Sequence, residues 1–129
     1  MGDKDLSTLN KKLALFIGFK SENYDDAYGL PRTRYYYPDG KIVDTAIDLV
    51  NDANSQVKWI YPKIANLPES IYGDTNFGIE WDSESRKYYA FIVITGMYDC
   101  TNENPALAFA LAVEKLIDYL EKNNESSDK

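Results

Sequence analysis

Phe77-Gly78-Ile79-Glu80-Trp81-Asp82-Ser83-Glu84-Ser85-Arg86-Lys87-Tyr88-Tyr89-Ala90-Phe91-Ile92-Val93-Ile94-Thr95 is the stretch whose reading decides the fold. Phe77, Ile79 and Trp81 alternate with Gly78 and Glu80, which is the period of a half-buried strand. Asp82 to Ser85 form a polar turn. Lys87 to Thr95 is β-branched and aromatic and reads as the partner strand. A two-stranded hairpin is marginal in water by itself, so its apolar face needs a helix.

The flanking sequence supplies helices. On the C-terminal side, Asn104-Pro105 is the clearest local signal: Asn accepts from orphan backbone N–H groups and Pro is favoured at the first helical position. Ala106, Ala110, Val113, Ile117 and Leu120 then fall on one face of a helix that is expected to reach about Asn123. On the N-terminal side, Leu6, Leu9, Leu13, Phe16 and Ile17 give a second helical stripe over about 5–17, with Asp5 or Ser7 as its cap and Gly18 suited to the left-handed residue after its end.

Between these, residues 19–40 read as irregular, punctuated by Gly29, Pro31 and the Pro38-Asp39-Gly40 turn, with Tyr35-Tyr36-Tyr37 as a short extended stretch. Ile42, Val43, Ala46, Ile47, Leu49 and Val50 fit a helical stripe over 41–51, although their β-branching lets a strand or a single turn compete. A further stripe starts near Asn54 and carries Val57, Ile60, Tyr61 and Ile64, with a kink expected at Pro62. Met97 to Glu103 reads as a loop.

The expectation is an α+β fold: a small helix–sheet–helix sandwich in which N- and C-terminal helices pack on a short antiparallel sheet, the hairpin at about 75–95. One domain over 1–122 and a disordered polar tail over 123–129 follow. The expected core is Leu13, Phe16, Phe77, Ile79, Phe91, Val93, Ala110, Val113 and Ile117.

Composition narrows the function. The chain has 129 residues and a net charge of −7, a poor balance for neutralising nucleic-acid phosphate or meeting an anionic membrane surface. The opening MGDKDLSTLN lacks the order of a secretory leader and the single Cys100 cannot pair internally, so a cytoplasmic setting is expected. There is no histidine, hence no imidazole base or zinc ligand. Phosphate-cradling glycine loops and the G-x-S-x-G elbow are missing from the sequence. Asp25-Asp26, Asp82 and Glu84 could serve as metal-binding or acid/base carboxylates, but such residues ordinarily populate turns. No catalytic residue, metal or cofactor is therefore assigned.

Eleven tyrosines are the unusual feature. Arg32, Arg34, Tyr35, Tyr36 and Tyr37 form a basic-aromatic cluster, and arginine and tyrosine are the types that carry binding hot spots. They are the candidate site for a protein or small-molecule partner. Homodimerisation through a free hairpin edge is a further possibility.

Lys12-Leu13-Ala14-Leu15-Phe16-Ile17-Gly18, Tyr36-Tyr37-Pro38-Asp39-Gly40, Trp59-Ile60-Tyr61-Pro62-Lys63-Ile64 and Ala112-Val113-Glu114-Lys115-Leu116-Ile117-Asp118-Tyr119-Leu120 occur in this order. In this the chain resembles a group of small bacterial, prophage and phage proteins, some of them grouped as phage ABA-sandwich domains. The resemblance implies helix–sheet–helix layering and brings no catalytic residues. It suggests a non-enzymatic binding or accessory protein of phage or prophage type. An acidic nucleic-acid mimic that inhibits a host enzyme is the alternative suggested by charge, followed by a carboxylate-based metal-dependent enzyme.

Overall fold

The computed structural model describes residues 3–43, 48–67 and 75–127. The fold is α+β, with N- and C-terminal helices packed against two antiparallel sheets. Helix α1 (Asp3–Phe16) begins two residues before the earliest expected cap, and buries Leu9, Leu13 and Ala14. It ends where Gly18 takes a φ of 96°. The Gly18 N–H then reaches Leu15 O and the Phe19 N–H reaches Ala14 O, closing the helix's last carbonyls and turning Phe19 into the core.

Strands β1 (Lys20–Asp25) and β2 (Pro31–Tyr36) follow as an antiparallel hairpin. This corrects the irregular reading of 19–40. Lys20-Ser21-Glu22-Asn23-Tyr24-Asp25 is mostly exposed, so it carries none of the apolar alternation by which a strand is recognised. The helical reading of 41–51 is also corrected on its described residues. Ile42 bridges Tyr36 and the Val43 N–H donates to Tyr35 O, which adds an extended segment beside β2. At the other end the Asp48 carboxylate accepts from the N–H groups of Val50 and Asn51, a local turn that outcompetes a helix. Residues 44–47 lie outside the described residues.

Helix α2 (Ala53–Ser55) runs through a π-helical turn (Gln56–Ile60) into α3 (Tyr61–Ala65). The Tyr61 N–H bonds Gln56 O, five residues back. The irregularity expected at Pro62 therefore falls on the turn before it. Proline supplies no N–H to Lys58 O, and the wide turn takes up the misfit.

Strands β3 (Asn76–Asp82), β4 (Lys87–Val93) and β5 (Met97–Asn102) form one antiparallel sheet in that order. The expected hairpin is present, and the stretch read as a loop from Met97 supplies a third strand. Helix α4 (Pro105–Ser127) lies across β4 and β5, and α1 lies against α4. α4 runs beyond Asn123 to Ser127, past the expected start of a disordered tail; residues 128 and 129 lie outside the described residues.

Leu13, Ala110, Val113 and Ile117 are buried as expected, while Phe16, Phe77 and Ile79 are half-buried against the core. The face of β4 is a correction. Ala90 and Ile92 point to α4, whereas Phe91 and Val93 share the opposite sheet face with Gly78 and Tyr89. Tyr88 to Ile94 is apolar at every position, so alternation held no information about which face is inward.

Candidate functional site

The β1–β2 hairpin is organised by Asp26. Its Oδ1 accepts from the N–H groups of Tyr28 at 2.8 Å and Leu30 at 3.0 Å, and its Oδ2 accepts from Arg32 Nε at 3.0 Å. The Leu30 N–H, then Arg32, hold the Asp26 carboxyl below its ordinary range. Gly29 takes a φ of 78° in the same turn.

The register pairs Tyr24 with Arg32, Glu22 with Arg34 and Lys20 with Tyr36. Directly opposed residues share a face and successive ones alternate, so these six side chains form one surface. Within it the Arg34 guanidinium lies 4.5 Å from the centre of the Tyr24 ring, a diagonal cation–π contact. The Tyr36 hydroxyl donates to Glu22 Oε2 at 2.8 Å. Hydrogen bonding with Tyr36 is the chief cause that raises the Arg34 pKa above its ordinary value, and Tyr24 adds to it.

The five sequence-predicted residues therefore divide. Arg32, Arg34 and Tyr36 share the outward face. Tyr35 points to the other side, where burial against the core pushes its hydroxyl pKa up. Tyr37 leaves the strand to stack on Trp59, with ring centres 5.7 Å apart and planes 24° apart, and both rings meet Phe19 edge-on.

Tyr37, Pro38, Asp39, Lys41, Lys58 and Trp59 line an open concavity of about 430 Å³. One wall is the tight turn in which the Gly40 N–H bonds Tyr37 O and the Tyr37 N–H bonds Lys41 O. The other wall is the π-helical turn. It is fixed from beneath by Gln56, 1% exposed, whose Nε2 donates to Leu49 O at 3.0 Å and Ala106 O at 2.7 Å.

Sequence reasoning missed several members of these surfaces. Tyr24 is hidden in a polar strand with no apolar partner to mark its face. Tyr28, 89% exposed, and Leu30 crown the hairpin tip. Trp59 and Lys58 belong to a segment read simply as helix. The only signal for Tyr28 and Leu30 was Gly29, which marks a turn and hence a hairpin tip.

Of the carboxylates singled out for chemistry, Asp26 and Asp82 have local work. Asp82 Oδ1 accepts from the Glu84 N–H at 3.1 Å and Oδ2 accepts from Ser85 Oγ at 2.9 Å, closing the β3–β4 turn as Asp26 closes the β1–β2 turn. Among the described residues, no group of three or more His, Cys, Asp or Glu is arranged to hold a metal ion. Among the described residues, no helix is long and apolar enough to cross a membrane. Comparison with protein-family models, curated proteins and solved structures returned no match.

Proposed function

We propose that this chain is a non-enzymatic binding protein that meets a protein partner through the outward face of its β1–β2 hairpin. The observation that carries the reading is Arg34, whose guanidinium lies over the Tyr24 ring on the same outward face as Tyr36. Such an arginine is already ordered before contact, so less side-chain entropy is lost on binding. Beside it stand Arg32 and the exposed tip residues Tyr28 and Leu30. Aromatic rings and arginines at the centre of a patch are the usual anchors of an interface, and they favour a partner surface bearing carboxylates.

The prophage-type resemblance in the sequence is in keeping with an accessory role toward a host protein in the cytoplasm. The mimic reading has less support. A nucleic-acid mimic needs a row of free carboxylates, whereas Asp26 and Asp82 serve turns and Asp118 and Glu114 pair with Lys12.

The test is retention of bacterial lysate proteins on the immobilised chain, compared with Arg34→Ala/Tyr36→Ala. The reading expects a protein retained by the parent and lost by a double variant of unchanged circular dichroism. Equal retention by the folded double variant overturns it.

A further inference from the structure

The concavity between the Tyr37–Lys41 turn and the π-helical turn is separate from the outward face of the hairpin. From its chemistry we infer that it is a binding site for a phosphorylated, hydroxyl-bearing ring compound, either a nucleotide or a sugar phosphate.

Three features of the lining converge on that class. Tyr37 and Trp59 offer an aromatic wall against which a base or sugar ring packs. Lys41 and Lys58 line it from the two opposite walls and are both exposed, so two cationic side chains belong to one opening. Lysine binds phosphate as a compact point charge. Lys58 is drawn toward the ring, with Nζ 5.2 Å from the centre of Trp59. Asp39 spends Oδ1 on the Lys41 N–H at 2.9 Å, which leaves its other oxygen to accept from a ligand hydroxyl.

The π-helical turn is an independent observation. Such turns are rare, and they recur at functional sites because they re-aim side chains. Here the turn carries both Lys58 and Trp59 to the concavity. It is held in place by a buried glutamine whose Oε1 finds no partner among the described residues. An unbonded buried amide oxygen is unfavourable, so this geometry is kept against a local cost. A volume of about 430 Å³ falls in the range of small-molecule sites.

The test follows the Trp59 indole N–H by NMR in a Trp81→Phe background, which leaves one indole signal. AMP, adenosine, ribose 5-phosphate, glucose 6-phosphate and inorganic phosphate are titrated in turn. The inference expects a saturable shift with AMP or with a sugar phosphate, and which of them responds tells the two sources apart. Lys41→Ala/Lys58→Ala is expected to weaken binding about tenfold or more, the effect of losing roughly 1.4 kcal/mol of charge-assisted contact. Arg34→Ala/Tyr36→Ala is expected to leave it unchanged, so this site and the hairpin face fail or stand separately. No saturable shift with any phosphorylated ring compound up to about 10 mM overturns the inference, since affinity would then be weaker than roughly 3 kcal/mol. So does an equal response in the lysine double variant, or an equal response to adenosine or inorganic phosphate alone.

Discussion

The Asn104 side chain accepts from the Ala106 N–H at 3.0 Å while its amide donates to Asn51 Oδ1 at 3.1 Å, so one residue both caps α4 and ties it to the turn before α2. Replacing Asn104 with Ala removes both bonds. The expected loss is ~0.5–2 kcal/mol of unfolding free energy, read as a lower urea midpoint at constant slope. A midpoint equal to the parent's would show that the cap contributes nothing.

The two faces of β4 give a paired prediction. Ile92 is fully buried beneath α4, so Ile92→Ala is expected to cost ~2–5 kcal/mol. Phe91 is half-buried on the opposite face, and Phe91→Ala is expected to cost less than Ile92→Ala despite removing more atoms. Denaturant unfolding of the two variants side by side decides it; the reverse order would place Phe91 in the core.

Gly18 closes α1 at a φ that an L side chain rarely adopts. A Cβ there would meet Pro38 at an ordinary 3.6 Å, so the penalty of Gly18→Ala is conformational rather than steric. It is expected to be roughly 1–2 kcal/mol. Thermal unfolding of Gly18→Ala checks this, and an unshifted midpoint would count against a left-handed closure.

Acid should loosen the hairpin before the core. The folded pKa of Asp26 is depressed, so its contribution is present above the ordinary aspartate value of about 3.9 and is lost as pH falls through the depressed folded value. The amide signals of Tyr28 and Leu30, which donate to this carboxylate, are expected to move in that window. In Asp26→Ala the transition should vanish. Its persistence would assign the transition to another carboxylate.

How much of this was legible in the sequence depended on which residues faced an interior. The β3–β4 hairpin, the stripe of α1 and the Asn104 cap were readable because an apolar period or a capping residue wrote them directly. β1 and β5 were not, since both are short, Lys20–Asp25 is largely polar and Met97–Asn102 mixes apolar and polar residues evenly. Their strand character comes from pairing with a neighbour, which no local window contains. Arg32, Arg34 and Tyr36 were found by residue type, but their separation from Tyr35 and Tyr37 required knowing that 31–36 is a strand. Trp59 escaped because a π-helical turn has no sequence signature distinct from an α-helix.

That turn has an evolutionary corollary. A π-helical turn is an α-helical turn with one residue inserted. Loss of one codon between Gln56 and Ile60 would restore regular winding, with the flanking helix keeping its register and the residues presented by the wide turn replaced by ordinary α-helical neighbours. The indole and ammonium that now line the concavity would no longer be presented together, and Phe19 would lose its edge-on contact with Trp59. The concavity and the packing beneath it are thus coupled: a single genetic step that erased the site would also oblige the interior around Phe19 to repack, so the two can only change together.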